Sequence, residues 1–392
     1  MSLGGRWDGR GEPVALRALA RVNVAALERN VARLVGRLAP GAALCAVVKA
    51  NGYGHGAAAA GRAALRAGAR MLAVATAAEA AELRAEGIEA PLLVMGALSG
   101  EELPLALSAR AELVAWTVGF VRAVTKLTSA GGATPVRVHV KLDTGMGRLG
   151  TRDRLEAREV AEAILVEPRL ELAGAMTHLA TADEPDPSFM REQLARFAPF
   201  ARELRRLFPS AIAHAANSAA TLREPAAHHQ MVRCGIAIYG LDPMNHDPAA
   251  HALEPALELE SYVAAVKLAR AGESAGYGRR FVAERDTWLA TVPIGYGDGV
   301  PRALSNVGEV LIGGRRHPIA GTVSMDNITV ALGPQPLARV GERAVLIGSD
   351  GSERLLCETQ ARRAGTINYE LACRISARVP RLYHRDGEAL GR

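Results

Sequence analysis

Aromatic residues are scarce in this chain, 4% of 392 residues, and that scarcity argues against an aromatic-rich β-sandwich. Long apolar runs are missing as well: no uncharged stretch reaches the ~18 residues that a membrane-crossing helix needs. The four cysteines, Cys45, Cys234, Cys357 and Cys373, have no CxxC spacing and sit in apolar segments. They read as small core hydrophobes in a reducing compartment, which excludes a disulfide framework and a cysteine metal site. There is no run of five or six like charges and no basic stretch interleaved with aromatics. The net charge of +6 therefore reads as a solvated surface and not as a nucleic-acid face. Residues 1–13, MSLGGRWDGRGEP, hold no apolar stretch suited to a secretory leader. These absences predict a cytoplasmic protein with no nucleic-acid, membrane or metal partner.

What is present is a chain that is 49% hydrophobic and 22% charged, able to bury a large core and long enough for two domains. Eight short β-prone runs, at 42–48, 70–75, 91–95, 112–116, 136–141, 171–177, 211–215 and 231–239, alternate with amphipathic stretches. VNVAALERNVARLVGRL and SFMREQLARFAPFARELRRLF are two of these helical patterns. Eight strand–helix alternations predict an α/β fold, an N-terminal (β/α)8 TIM-like barrel over residues 14–250. Beyond LDPMNHDPAAHALEP the texture changes to short strand-like runs separated by Gly, Pro and Asp turns. A mostly β C-terminal domain is expected over residues 251–392.

In such a barrel the active site forms at the C-terminal ends of the strands. Polar residues gather there. The first run ends in Lys49, within AVVKANGYGHG; the fifth ends in Lys141, followed by Asp143 and Arg148. The sixth leads to His178, the seventh to Asn217 and Ser218, and the eighth carries Arg233, Gly235 and Ile236. Solvation alone does not account for so many polar side chains at one end of five strands. Taken singly, Lys49 could be a strand-end surface lysine, His178 a core histidine, Asp143 an Asx turn, and Arg233 a partner for Asp242.

The motifs AVVKANGYGHG, KLDTGMGRLG, THLATADE, ANSAA, VRCGIAIYG, PIGYGDG, GTVSMDN and INYE, in this order, resemble those of alanine racemases, fold-type III pyridoxal phosphate enzymes. The resemblance spans about residues 20–385 and makes pyridoxal 5'-phosphate the expected cofactor. It implies that Lys49 holds the cofactor as a Schiff base. Tyr53, Asn217, Ser218, the N–H groups of Gly235 and Ile236, and Tyr369 would then bind around its phosphate. Arg233 would face the ring nitrogen, and an all-donor guanidinium leaves that nitrogen unprotonated.

Lys49 and Tyr277 are implied as the two bases on opposite faces of Cα, with His178 and Arg233 polarising the tyrosine. Arg148 and the Met325 N–H would hold the substrate carboxylate. Asp326 is expected to orient the network around Tyr277, with a plain turn aspartate as the alternative, and Tyr296 and Tyr369 to narrow the entrance. Lys141 is expected to be N-carboxylated, with Asp143 as the other possible counter-ion to the nearby cations. The family packs as a head-to-tail homodimer with shared sites, and D-alanine supply for peptidoglycan cell-wall synthesis is the implied role. A serine racemase and a non-catalytic pyridoxal phosphate homeostasis protein are the alternatives; the second lacks a β domain. Arg233, together with the lack of a matching cysteine donor motif, argues against an amino-acid decarboxylase.

Overall fold

The computed structural model describes residues 16–128 and 134–390, so the expected domain limits at 14 and 392 and the reading of residues 1–13 lie outside the described residues. The chain divides into two compact units. One comprises Ala25–Met244 with His251–Glu254; the other comprises the residues through Val24, Asn245–Ala250 and Pro255 onward.

The first strand, β1 (Leu19–Asn23), belongs to the second unit. The first unit holds the next eight: β2 (Ala43–Val47), β3 (Met71–Val74), β4 (Leu92–Val94), β5 (Leu113–Ala115), β6 (Val136–Lys141), β7 (Leu170–Met176), β8 (Ile212–His214) and β9 (Met231–Cys234). Each falls on one of the eight runs read from the sequence, although the eighth run, 231–239, is strand only as far as Cys234 and continues as a 3-10 turn, Ile236–Tyr239. They pair in parallel as β4-β3-β2-β9 and β5-β6-β7-β8. A parallel bridge between Leu93 and Glu112 closes one seam. At the other seam the Gln230 N–H donates to Ala213 O at 3.1 Å and the Arg233 N–H to Ala216 O at 2.9 Å. The result is a closed eight-stranded barrel.

Helices follow the strands where their sequences favour it. Thr76 and Glu79 form a capping box that starts the helix Ala77–Ala85. Asp153 caps Arg154–Leu165, and Asn217 caps Ser218–Arg223. The two helical patterns named above become Val24–Gly36 and Ser188–Leu207. Cys45, Cys234 and Cys357 are buried as expected, but Cys373 is exposed. It lies on the outward side of a short helix, Asn368–Arg374.

In the second unit, the long run LELESYVAAVKLA divides at Val263–Ala264 into β10 (Leu257–Tyr262) and β11 (Ala265–Ala269). The large sheet places β1 between β10 (antiparallel) and a late strand, Arg381–Arg385 (parallel). The barrel unit begins at Ala25, and β1 just before it completes a sheet of the other unit. Two short helices, Cys357–Arg363 and Asn368–Arg374, interrupt what the sequence suggested was β structure.

Candidate active site

Lys49 follows β2 directly and opens a turn whose backbone is left-handed at five successive residues: Ala50 (φ 52°), Asn51 (51°), Gly52 (62°), Tyr53 (51°) and Gly54 (83°). Only glycine takes up this conformation freely, so the three non-glycine residues need outside support. Glu79 supplies it. Its carboxylate accepts from the Ala50 N–H at 2.6 Å and from the Ala75 N–H at 2.8 Å, joining the turn to the end of β3. Asn51 Oδ1 accepts from the Ala57 N–H at 3.0 Å. The Tyr53 ring packs on Tyr239 (centroids 5.1 Å apart), and Tyr239 donates to Val47 O at 3.0 Å.

Gly235 follows β9 and packs against the Tyr53 phenol so closely that a Cβ there would lie 2.8 Å from Tyr53 Cζ. Ser218 Oγ accepts from the Gly235 N–H at 3.0 Å and the Ala237 N–H at 3.4 Å. The Tyr53 phenol and the Ser218 hydroxyl, which accepts from both N–H groups, thus lie at the same backbone turn, and both side chains are of a kind that can donate to an oxyanion. Asn217 stands beside it, but its side chain accepts from the Ala220 N–H at 3.0 Å as a helix cap.

Arg233, 3% exposed, lies on β9 level with Cys45 of β2. Its Nη1 donates to His214 Nδ1 (2.9 Å) and His214 O (3.0 Å). Its Nη2 faces Thr177 O (2.8 Å), His178 Nδ1 (3.2 Å) and Ala215 O (3.2 Å). Asp242 is not its partner; that carboxylate faces His251 at 3.7 Å. Both Nη groups are committed, and Nε–H is the donor that makes no hydrogen bond among the described residues. Burial lowers the Arg233 pKa to about 10, which still leaves it cationic near neutrality.

Burial, followed by the charges of Arg233, Arg148, Lys141 and Lys49, pushes His178 well below the usual imidazole range. It is therefore neutral, and it accepts from Arg233 through Nδ1. Lys141, at the end of β6, is drawn down to about 8 by burial and then by Arg233 and Arg148, with Asp143 opposing. Asp143 is occupied elsewhere: it accepts from the N–H groups of Gly145 (3.0 Å) and Gly147 (3.0 Å) and from Arg152 Nε (3.2 Å). It is the Asx turn. The same mouth therefore carries Lys49, Lys141, Arg148 and Arg233, a field suited to a small anionic ligand.

The remaining expected residues belong to the β unit. Tyr277 is 74% exposed, Met325 52% and Tyr296 40%. Their turns are laced together: the Tyr296 N–H donates to Ser324 O (3.0 Å), Gly297 N–H to Met325 O (2.9 Å), and Thr322 Oγ1 to Tyr277 O (2.8 Å). The Asp326 carboxylate is taken by Arg378 Nη2 at 2.7 Å, so it anchors its own loop. Arg378 and Arg17 converge on buried Asp298 beneath these turns. Tyr369 lies at the start of the helix Asn368–Arg374. Among the described residues no group of three or more His, Cys, Asp or Glu side chains is placed to hold a metal, and no helix is long and apolar enough to cross a membrane.

Residues 22–243 match the family described as alanine racemase, N-terminal domain, and residues 256–383 the family described as alanine racemase, C-terminal domain. The chain belongs to the alanine racemase family. It is 42% identical over 367 residues to the alanine racemase of Geobacillus kaustophilus, covering 93% of this chain and 94% of that one. Among solved structures, the alanine racemase of Streptomyces coelicolor superposes with a TM-score of 0.88 at 39% identity, covering 94% of this chain and 98% of that one. The Bacillus anthracis alanine racemase, solved with bound L-Ala-P, gives 0.87 at 36% identity over 97% and 98% of the two chains.

Several residues that hold these groups in place, each within its own unit, escaped the sequence reading. Glu79 was visible in principle as the fourth position of a Thr-x-x-Glu capping box. His214, which holds Arg233, lies in the run 211–215 and ends strand β8 without a motif of its own. Asp298, Arg378 and Arg17 meet only through the fold.

Proposed function

We propose that the protein interconverts L- and D-alanine with pyridoxal 5'-phosphate at the barrel mouth, supplying D-alanine for peptidoglycan in the cytoplasm. The observation that carries the reading is Arg233, held by both Nη groups with Nε–H left over for an acceptor. The residues fit the cofactor. Tyr53, Ser218 and the backbone at Gly235 and Ile236 would hold its phosphate, with Asn217 and Tyr369 beside it; Arg233 would hold its ring nitrogen and Lys49 its aldehyde carbon. When bound, pyridoxal phosphate supplies the electron sink that makes an amino acid's Cα proton removable.

Lys49 takes or returns the Cα proton on one face, and Tyr277 does so on the other. Arg148 and the Met325 N–H grip the carboxylate, so that the Cα–H bond keeps its orientation while the proton is exchanged. His178, neutral and bonded to Arg233, is part of the polar surroundings that lower the cost of tyrosinate. Tyr296 and Tyr369 limit the side chain to about a methyl group. The two faces are supplied by two copies of the chain: Tyr277 of the partner subunit serves each barrel in a two-fold homodimer. The exposure of Tyr277, Met325 and Tyr296 together on one unit supports a surface made to be covered.

Chiral chromatography of purified, cofactor-supplemented protein with a panel of L-amino acids tests this reading. Alanine should exceed serine by roughly 10- to 100-fold, the range a small apolar pocket achieves against an added hydroxyl. Equal rates would make it a broad racemase, and no turnover of any amino acid would make it a cofactor-binding protein.

Two further results are expected. Gly235→Ala should raise the Kd for pyridoxal phosphate at least about tenfold in a fluorescence titration, because the new Cβ displaces the Tyr53 phenol. Unchanged affinity would remove Tyr53 and Gly235 from the cradle. Lys141 should be N-carboxylated, since only a neutral amine adds CO2 and this one loses its proton near pH 8. The carbamate reverses its charge from repelling Arg148 to attracting it. A carbamate carbon signal from labelled bicarbonate should therefore be stronger at pH 8.5 than at pH 6.5 and absent in Lys141→Ala.

A further inference from the structure

A line of buried polar side chains runs through the barrel, an interior that branched apolar residues usually fill. It starts at Glu112, just before β5, whose carboxylate faces His139 Nε2 at 2.7 Å. His139 Nδ1 meets His214 Nε2 at 3.0 Å, and His214 Nδ1 meets Arg233 Nη1 at 2.9 Å. Both histidines are fully buried, and Glu112 is 6% exposed. Gly174 on β7 leaves the room this requires: a Cβ there would lie 2.8 Å from His139 Nδ1.

The two ends of the line fix every proton in it. A guanidinium only donates, so His214 Nδ1 must accept. The His214 proton then sits on Nε2 and is donated to His139 Nδ1. His139 in turn donates from Nε2 to Glu112, and a carboxylate only accepts. No other arrangement avoids two donors, or two acceptors, facing each other across a buried contact. We propose that Glu112 and His139 are positioning residues that lock the tautomer of His214, so that His214 holds the Arg233 guanidinium and keeps its Nε–H for the cofactor's ring nitrogen.

This rests on the role proposed for Arg233 above. Burial and the Arg233 charge push His214 well below the ordinary imidazole range, in keeping with a neutral acceptor. Burial opposes the Glu112 charge, yet the His139 hydrogen bond and Arg137 hold its carboxyl below the ordinary glutamate range. Arg137 Nε donates to Glu112 at 2.9 Å and Arg137 also pairs with Glu171, so the line ends in a part-exposed ion pair at the start of β6 and β7.

Neutron diffraction from crystals of the wild-type holoenzyme, exchanged into D2O, reads the tautomers directly. Deuterons are expected on Nε2 of His139 and His214 and none on either Nδ1. A deuteron on His214 Nδ1 overturns the proposal. In kinetics, Glu112→Gln replaces the obligate acceptor by a group that also donates. It should lower kcat roughly 10-fold with KM for alanine nearly unchanged, while Glu112→Asp, still only an acceptor, stays within about 3-fold. Glu171→Gln, at the exposed end, should leave the rate unaltered. If Glu112→Gln keeps wild-type kcat, the positioning role is wrong; if it does not fold, the neutron result on the wild type decides. A wild-type protein that shows the expected deuterons but racemises nothing would defeat the proposed function and leave the tautomer lock standing.

Discussion

Lys49→Ala should lower racemisation of alanine by roughly 10^4-fold or more, the upper range for loss of a single acid–base group, because on the proposed reading the same substitution would also remove the covalent anchor of the cofactor. The chain makes this easy to check. Its lysines are Lys49, Lys126, Lys141 and Lys267, so borohydride reduction followed by peptide mapping has few sites to distinguish. The label should fall on Lys49 alone. Lys141 shares the mouth and titrates near 8, so its amine is also partly neutral near that pH. A label on Lys141, or a Lys49→Ala protein within tenfold of wild type, would move the reacting amine from one barrel strand to another. The left-handed turn after Lys49 makes that outcome unexpected, since Glu79 and Asn51 hold the turn at that position.

Tyr277→Phe should cost about 10^3- to 10^4-fold in racemisation, and its signature lies in isotope exchange. The enantiomers of alanine are equal in free energy, so kcat/KM must fall equally in both directions. Wash-in of deuterium at Cα carries no such constraint. With Lys49 intact on one face, one enantiomer should continue to exchange its Cα proton with D2O without inverting, while exchange from the other falls with racemisation. Proton NMR of each enantiomer in D2O separates the two. Exchange lost equally from both would mean that Tyr277 acts by shaping the site and not as a base. The exposed position of this phenol, 74% in the isolated chain, adds a second expectation. Mixing Lys49→Ala and Tyr277→Phe proteins should restore activity if two chains share each site, because the mixed dimer then has one complete site.

Most of the barrel was legible because its strands are continuous apolar runs, buried on both faces and bounded by amphipathic helices. Lys49, Arg148, His178 and Arg233 stood out because each closes, or lies in, a quoted motif, and the fold gathers their charges around His178. β1 was not: LARVN is short, runs into the helix Val24–Gly36, and finds its partners at Leu257–Tyr262 and Arg381–Arg385. No local pattern encodes a pairing of that span. The helices at Cys357–Arg363 and Asn368–Arg374 were missed because each is only two turns long. The Glu112–His139–His214 line was invisible for a different reason. Its members stand far apart in sequence with ordinary neighbours, and parallel register alone brings them together, His139 opposite Gly174 and Met176 opposite His214. For Asp326 the sequence left two readings open, and its carboxylate is bonded to Arg378, a residue outside every motif, as the turn-aspartate alternative would have it.

The place of β1 sets an order of events during synthesis. The strand leaves the ribosome before the barrel does, yet its antiparallel neighbour starts at Leu257 and its parallel neighbour at Arg381. The residues of the barrel, Ala25–Met244, are all made in between. At roughly 5–20 residues per second, the nascent β1 waits on the order of tens of seconds for the strands that flank it, while the barrel already has all its own. Truncations arrested after residue 260 should therefore protect barrel segments from protease and leave Leu19–Asn23 cleavable, and only chains that reach the last strand should shield both ends.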